Sequence, residues 1–306
     1  MYSKLVTAAG LVWDRMDLKP EESFLVLTDH SADKNVADAL FKAGRMISEK
    51  GFFVNMPPTG EHGKEPGAGI TKLMRECSAV VCPTTFSLTH TKARKKAAEH
   101  GARVATMPGI TSEIFTRALD VDYKSMTDLG NRIKRLLEKE GKIKVTTPTG
   151  TNIVFKIKQA IVDDGNISSP GAYGNLPAGE VFGIPVDANG VIVIDHFPHA
   201  KPRTKLYVKN SSVREIEGDP EFWNKIKRVK NATHLAEFGI GLNPSARLSG
   251  RILEEEKMLG TVHFAIGSDH YFGGKVKAGL HWDMILLKPT VQAGKTDVMI
   301  EGEMIL

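Results

Sequence analysis

The segment HWDMILL, late in the sequence, places two metal-capable side chains two positions apart. Successive side chains of a β-strand point to opposite faces, so His281 and Asp283 share one face if this segment is a strand. An imidazole and a carboxylate that point the same way form a two-pronged chelate for a divalent cation. On its own this spacing is a weak signal, because most strand histidines are hydrogen-bonded core or surface residues.

Three further strand-like segments each contribute one candidate metal ligand among small or apolar neighbours. In GTVHFAIG, His263 shares its face with an alanine and a glycine, which leave room for an ion. In HLAEFGIG, Glu237 shares its face with two glycines of the continuing sequence. In EVFGIPV, Glu180 lies on an apolar face, where an isolated charge is costly. Its partner is therefore either a bound cation or one of the many lysines.

The segments GEVFGIPV, HLAEFGIGLNPSARLSGRILEEEKMLGTVHFAIG and GLHWD resemble the carboxyl-terminal part of the M29 metallo-aminopeptidases, the aminopeptidase T group. That family binds two divalent metals through glutamates, histidines and an aspartate. Matched residue by residue, the resemblance implies the metal ligands Glu180, Glu237, His263, His281 and Asp283. The family's tyrosine, seven residues past the first histidine, is matched by His270, and Tyr271 follows at the next position. The sequence departs from the family at this position, and His270 or Tyr271 is expected to take the catalytic role of the tyrosine.

This resemblance implies an aminopeptidase that removes N-terminal residues from small peptides with a water activated by two metal ions. Carboxylate-rich ligands suit a bridged pair of zinc, cobalt or manganese ions, so a divalent metal is the only cofactor expected. The family also implies a homodimer joined through the β-rich half. The partner is thus a small peptide or small-molecule substrate and a second copy of the chain.

A second resemblance is to the extradiol-type enzyme that opens 2,5-dihydroxypyridine and holds one ferrous ion. Its His-x-Asp pair is matched by His281 and Asp283, and His234 could complete an iron triad. Strand alternation places His234 on the opposite face from Glu237, and the extra carboxylates Glu180 and Glu237 favour the two-metal hydrolase. A third alternative is a catalytically inactive binding protein on the same fold, because a fold does not guarantee activity.

Short apolar runs alternate with helical segments through about residue 140. SFLVLTDH, GFFVNMPP, SAVVCPTTF and GARVATMPG are typical of strands, with helical segments between them. This alternation predicts an α/β fold with a parallel sheet, similar to a flavodoxin-like or Rossmann-like sandwich. No G-x-G-x-x-G follows the first strand, so a bound dinucleotide is not indicated. The hydroxyl-rich segment TTFSLTHTKAR follows the third strand, and helix capping explains it better than substrate contact.

From Ile143 onward the sequence is rich in threonine, valine and isoleucine, which is typical of β structure. We therefore predict an α/β sandwich domain over residues 1–142 and a mostly β metal-binding domain over residues 143–306. Hairpin turns are expected at 148–150 and 188–190. One helix is expected to begin at Asn243 and to bury a stripe of Leu248, Ile252 and Leu253. The run 254–256 of three glutamates is expected to lie on its solvated face.

The composition excludes several classes of protein. A chain of 306 residues with 41% hydrophobic content can bury a large core, and 25% charged residues without low complexity exclude a disordered chain. The net charge of +5 is spread among acids and does not indicate nucleic-acid binding. No apolar run reaches the roughly 18 residues of a membrane helix. Cys77 and Cys82 match neither a disulfide framework nor a metal knuckle, so a cytoplasmic location is expected.

Overall fold

The computed structural model describes residues 2–306, and the chain divides into two compact units. The first unit comprises the chain up to Val121 together with Gly165–Ala178, and the second comprises Asp122–Asp164 and Gly179–Leu306. This division differs from the single boundary predicted near residue 142, since the chain passes between the units three times.

The first unit is built on a five-stranded sheet with parallel neighbours. Numbered along the whole chain, its strands are β1 (Phe24–Asp29), β2 (Gly51–Met56), β3 (Ala79–Cys82), β4 (Arg103–Thr106) and β7 (Tyr173–Asn175). Its helices are α1 (Tyr2–Arg15), α2 (Lys34–Ile47), α3 (Ala68–Glu76), α4 (Lys92–Glu99) and α5 (Ser112–Ala118). The strand order β2-β1-β3-β4-β7 follows the flavodoxin-like pattern, which confirms the predicted parallel α/β fold.

Strand β1 shows why this sheet lies inside the first unit. All six of its residues are buried, and the first four alternate between two hydrophobic clusters. Phe24 and Val26 belong to one cluster, whereas Leu25 and Leu27 belong to the other. A strand that is apolar on both faces needs cover on both faces, and the helices supply it. Helix α2 begins where the side chain of Asp33 accepts a hydrogen bond from the backbone N–H of Asn35.

The second unit is an antiparallel sheet of eleven strands with a long helix. Its helices are α6 (Tyr123–Glu140), α7 (Pro220–Lys227) and α8 (Ile252–Glu255). Its strands are β5 (Ile143–Thr146), β6 (Asn152–Asp163), β8 (Glu180–Val193), β9 (Lys205–Lys209), β10 (Ser212–Glu217), β11 (Leu235–Gly241), β12 (Thr261–Gly267), β13 (His281–Leu287), β14 (Thr290–Ala293), β15 (Thr296–Ile300) and β16 (Glu303–Met304). The main path runs β13-β12-β11-β8-β6-β5-β14-β15-β16, with β9 and β10 joined to β8. No helix within residues 2–306 has the length and apolar character to cross a membrane.

Helix α6 belongs to the second unit because it packs closely on the sheet of that unit. Its Gly130 lies so near β6 and β8 that a Cβ atom there would come within 2.7 Å of Val162 and 3.5 Å of Val181. Ile133 and Leu137 continue the same buried stripe along the helix. The helix ends at Gly141, whose φ of 61° is left-handed, as is common just past a helix.

One of the two predicted hairpins is confirmed and the other is wrong. Strands β5 and β6 are joined by a turn at 147–151, which covers the predicted position. The predicted turn at 188–190 does not form, because β8 runs through it as one strand of 14 residues. Asn189 and Gly190 pair with Val154 and Ile153 of β6, and an irregularity in register accommodates them. The long partner strand overrides the local turn signal.

Only the last turn of the helix predicted to begin at Asn243 forms: Ile252–Glu255 is helical and Leu253 is buried, whereas the residues before it are not helical and Leu248 is 45% exposed. The glutamates that follow are not solvated. Glu254 and Glu255 are fully buried, and their carboxylates accept hydrogen bonds from backbone N–H groups of residues 247–250. These carboxylates hold the loop that takes the place of the expected helical turns.

Candidate metal centre

Three adjacent antiparallel strands bring most of the predicted ligands onto one face of the second sheet. On β11, Glu237 lies opposite Ala265 of β12, which in turn lies opposite Asp283 of β13. One step further along, Gly267 of β12 lies opposite His281. Ala265 and Gly267 on the middle strand are small. The longer side chains of the two outer strands can therefore reach each other across β12.

The remaining ligands lie next to glycines on β11. His263 of β12 lies opposite Gly239, where a Cβ atom would come within 2.1 Å of the imidazole Cε1. Glu180, the first residue of β8, lies opposite Gly241. The sequence indicated small neighbours of His263 and Glu237 on their own strands, but not that these glycines lie across the sheet from His263 and Glu180. The structure shows that Gly239 is required at its position because the imidazole ring occupies the space of its missing side chain.

The five predicted ligands form two groups that share one carboxylate. Glu180, Glu237 and His263 make the first group, and within it one ligand atom of each residue lies within 4.8 Å of the others. The second group has the same spacing and consists of Glu237, His281 and Asp283. Oε1 of Glu237 lies 3.5 Å from Nε2 of His263, and its Oε2 lies 3.1 Å from Nε2 of His281. The two oxygens of Glu237 therefore face different histidines.

The first group contains a buried carboxylate oxygen that a cation would satisfy. Oε2 of Glu180 is buried 3.3 Å from Nε2 of His263, yet within residues 2–306 no group forms a hydrogen bond with it. Nδ1 of His263 is also buried without a hydrogen-bond partner from that range, but Nε2 is the ring nitrogen that faces Glu180 and Glu237, so Nδ1 is not part of the cation site. A buried polar group without a partner is costly, so such groups are rare unless an ion or water satisfies them. Imidazole nitrogens with carboxylate oxygens suit zinc, manganese, cobalt or ferrous ions, and the residues therefore fit a divalent metal.

A backbone carbonyl orients the histidine of the second group. Nδ1 of His281 lies 2.7 Å from the carbonyl oxygen of Ser268, which can only accept, so Nδ1 donates. This bond fixes the ring and directs Nε2 towards Oδ1 of Asp283, 3.3 Å away. Metal-binding histidines commonly donate their second nitrogen to such an acceptor.

The charged side chains of the cluster shift one another's pKa values strongly. Burial alone would lower the pKa of His263, but a hydrogen bond to Glu237 and the charge of Glu180 raise that pKa to about 9. Burial would also lower the pKa of His281, but the charge of Asp283 outweighs burial and raises that pKa well above its usual range. Burial would raise the pKa of Glu237, but hydrogen bonds to the two histidines and their charges lower that pKa well below its usual range. A metal that binds here must displace protons from the imidazoles.

Sequence reasoning missed Glu256 and Lys257 as parts of this cluster. Burial raises the pKa of Glu180 to about 8 and that of Glu256 to about 7, although the charge of Lys257 acts in the opposite direction on both. Nζ of Lys257 lies 2.5 Å from Oε1 of Glu180, which confirms the predicted alternative of a lysine partner for this carboxylate. The only signal for it was a lysine four positions before the buried segment that contains His263.

The predicted catalytic residues lie on a one-turn 3₁₀-helix, His270–Phe272, between β12 and β13. Nδ1 of His270 lies 3.3 Å from Oγ of Ser268, and its ring lies 3.9 Å from that of Tyr271, centroid to centroid. Neither residue is part of the two ligand groups. Phe272 packs edge-on against the His281 ring at 5.9 Å, which sequence reasoning missed.

Phe182 extends this apolar surface beside the cluster. Its ring lies 5.5 Å from that of Phe272 in an edge-to-face arrangement. Phe182 is on β8, where it pairs with Gly239, so it is close to the strands that carry the ligands. Both phenylalanines are partly exposed. They form an apolar wall next to His281.

The iron triad based on His234 is not among the ligand groups of the described chain. Nε2 of His234 instead lies 2.8 Å from Oδ2 of Asp269, whose Oδ1 accepts a hydrogen bond from the backbone N–H of Val276. An irregularity in register between Leu235 and Glu237 also interrupts the strand alternation from which their faces were predicted. His234 therefore stabilises the loop that follows β12.

The chain has the M29 fold. The structure of AmpT, an M29 aminopeptidase from Thermus thermophilus, superposes with a TM-score of 0.67 over 99% of this chain and 99% of that chain, at 14% identity. The structure of 2,5-dihydroxypyridine dioxygenase from Pseudomonas putida KT2440 superposes with a TM-score of 0.85 over 100% and 98% of the two chains, at 18% identity. Identities this low establish the fold alone.

The family follows from the sequence. The family model of NicX, 2,5-dihydroxypyridine 5,6-dioxygenase, matches residues 4–306, so the chain belongs to that family. No curated protein matches the chain. Both resemblances expected from the sequence are confirmed, and both relatives are enzymes.

Proposed function

We propose that this protein is a divalent-metal hydrolase of the aminopeptidase type, which removes the N-terminal residue of small peptides at a two-metal centre. The observation that carries this proposal is the position of Glu237, whose two oxygens face His263 and His281. A carboxylate shared by two ligand groups is what a closely spaced pair of metals requires, because the ions of such sites lie about 3.5–4 Å apart.

The residues around the shared carboxylate have separate roles in this proposal. A bound metal pair would polarise the scissile carbonyl and lower the pKa of a water molecule. Glu180 and Asp283 hold the outer ends of the two ligand groups. His270 or Tyr271, on the turn after β12, donates a hydrogen bond to the carbonyl oxygen or a proton to the departing amine. Phe182 and Phe272 keep water from one side of the cluster and contact an apolar side chain of the substrate.

A second candidate is a ring-opening dioxygenase with one ferrous ion. The family match over residues 4–306 supports it. In this case the second ligand group alone, which contains the pair His281 and Asp283, would hold the ion. The two candidates differ in the number of metal ions and in their need for oxygen. Metal content and oxygen uptake therefore distinguish them directly. A binding protein without turnover is the third outcome.

The deciding experiment measures metal content and activity on the same protein, purified without added metal. We expect about two zinc, cobalt or manganese ions per chain and release of p-nitroaniline from leucyl-p-nitroanilide after addition of Co²⁺. One ferrous ion with oxygen uptake on 2,5-dihydroxypyridine would establish the second candidate instead. No bound metal and no loss of stability on chelation would indicate the inactive binding protein. Gel filtration of the same sample tests the expected homodimer.

Matched variants test the ligand assignment. Glu237→Gln and Asp283→Asn keep the shape of each side chain but weaken its binding to a cation, so we expect lower metal content and an unchanged circular-dichroism spectrum. Glu217→Gln is the control, because Glu217 is an exposed carboxylate on β10 that pairs with Lys205. Full retention of metal in both ligand variants would show that these carboxylates are structural.

A further inference from the structure

Lys257 is a buried cation within the ligand cluster. Its side chain is only 2% exposed, and its Nζ lies 2.5 Å from Oε1 of Glu180 and 2.7 Å from Oε1 of Glu256. Asp163 is a third carboxylate, with Oδ2 at 3.9 Å. Burial of an ammonium is expensive unless several partners compensate it. Three carboxylates do so here, which leaves little net positive charge to repel a neighbouring metal ion.

The backbone holds Lys257 in place independently of its side chain. Its carbonyl accepts a hydrogen bond from the backbone N–H of Asn243, and its own N–H donates to the carbonyl of Glu254. The next residue is packed so closely on β11 that a Cβ atom at Gly241 would lie 2.1 Å from the carbonyl oxygen of Met258. These backbone contacts therefore fix the position from which the Lys257 side chain reaches the carboxylates.

The bond from Lys257 distinguishes the two oxygens of Glu180. Oε1 is bound by the ammonium, whereas Oε2 lies 3.3 Å from Nε2 of His263 and is the unsatisfied oxygen of the first ligand group. The terminal torsion of a glutamate is broad, so packing along its stem does not by itself fix the carboxylate plane. A strong charge-assisted hydrogen bond to one oxygen does fix it.

We infer that Lys257 is a positioning residue, which holds Glu180 so that Oε2 alone is presented to a metal in the first ligand group. This inference rests on the proposed function in requiring a divalent metal in the first ligand group, which the one-ion candidate does not fill. Residues that orient metal ligands typically change metal affinity by about 10–100-fold when they are substituted. The second ligand group does not include Glu180 and should be much less affected.

The test is a titration of metal-free protein with Co²⁺. Binding is monitored by calorimetry and by the visible absorption of the bound ion. In Lys257→Met we expect one of two binding steps to weaken by about 10–100-fold, while the other changes by less than about threefold. Lys205→Met is the control, because Lys205 forms an exposed ion pair with Glu217 and should leave both steps unchanged. Unchanged binding in Lys257→Met would overturn the inference. Tighter binding would overturn it as well, since it would show that Lys257 acts as a repelling charge.

A second variant keeps the test decisive if Lys257→Met does not fold. Lys257→Arg retains the charge and a donor but places the donor differently, so we expect a smaller weakening of the same step and an altered cobalt spectrum. A wild-type spectrum and affinity in this variant would contradict a positioning role. Wild-type protein that binds no divalent ion would overturn both this inference and the proposed function. If Lys257 has the expected effect on metal binding but the protein has no peptidase activity, the proposed function is contradicted and the inference about Lys257 stands.

Discussion

Gly239→Ala should remove one metal ion from the cluster without unfolding the protein. The added methyl carbon would lie 2.1 Å from Cε1 and 2.2 Å from Nε2 of His263. Carbon atoms in contact lie about 3.5 Å apart or more, so the ring must move by about 1.4 Å. Strand β11 pairs on one side with β8 and on the other with β12, so its backbone cannot retreat easily. The imidazole moves instead.

The size of this displacement sets the expected losses. Metal–ligand distances tolerate only about 0.2 Å, so a ring moved by about 1.4 Å no longer contributes to the first ligand group. We expect Gly239→Ala to bind one ion fewer per chain than wild type, measured by atomic emission. The rate of the proposed hydrolysis should fall by roughly 100-fold or more. Overpacking of this kind costs about 1–3 kcal/mol, so the melting temperature should drop while the circular-dichroism spectrum stays native.

The matched control is Gly69→Ala, the same chemical change on helix α3. No heavy atom lies within 4 Å of the position that its Cβ would take. This variant should keep both ions and gain up to about 1 kcal/mol, because alanine is the better helix former. If Gly239→Ala retains two ions and the wild-type rate, the contact between Gly239 and His263 does not constrain the site and the geometric reasoning is wrong.

Three more predictions follow from the described contacts and pKa values. Because neighbouring carboxylates outweigh burial and raise the pKa of His263 to about 9, and that of His281 above its usual range, both rings are protonated at neutral pH and must lose protons to a metal. Metal affinity should therefore rise by at least about tenfold per pH unit between about pH 6 and 8, with proton release seen by calorimetry in two buffers; an affinity independent of pH would contradict this. Phe272→Ala should lower kcat/KM for substrates with a large apolar side chain by about 3–10-fold relative to alanyl substrates, and an equal loss for both would rule out the apolar wall. Burial raises the pKa of Cys77 to about 11 and that of Cys82 to about 12, so neither thiol should react with Ellman's reagent at pH 8 until guanidinium unfolds the chain, and fast labelling of folded protein would disprove their burial.

The faces of the ligand strands could be predicted from sequence because they depend on local alternation. His263 with its small neighbours, and His281 with Asp283, follow directly from the period of a strand. The pairing of Lys257 with Glu180 could not be derived in this way, since the residues are 77 positions apart and meet only through the order of strands in the sheet. The sequence could therefore suggest a lysine partner for Glu180, but not which lysine.

Errors in the predicted elements have the same physical origin. Ala188-Asn189-Gly190 is a good local turn signal, yet the backbone of β8 gains more by continuing alongside β6. The acidic run after Ile252 was assigned to solvent from its charge alone. Its buried carboxylates accept hydrogen bonds from the N–H groups of a loop, and these donors are visible only once the loop is folded. In both cases a tertiary partner outweighs a local preference.

The hydroxyl-rich segment TTFSLTHTKAR of the first unit could suggest a binding site from its sequence. In the structure its polar groups form hydrogen bonds within the protein instead. Both carboxylate oxygens of Asp29 accept hydrogen bonds from Thr85, through its backbone N–H and its hydroxyl. Thr91 caps helix α4 by accepting from the N–H of Arg94, as the capping interpretation predicts. Oγ1 of Thr89 hydrogen-bonds with the side chains of Thr106 and Asn175. These groups satisfy one another, whereas Oε2 of Glu180 in the second unit is left without a hydrogen bond, and it is the unsatisfied atom that calls for a ligand.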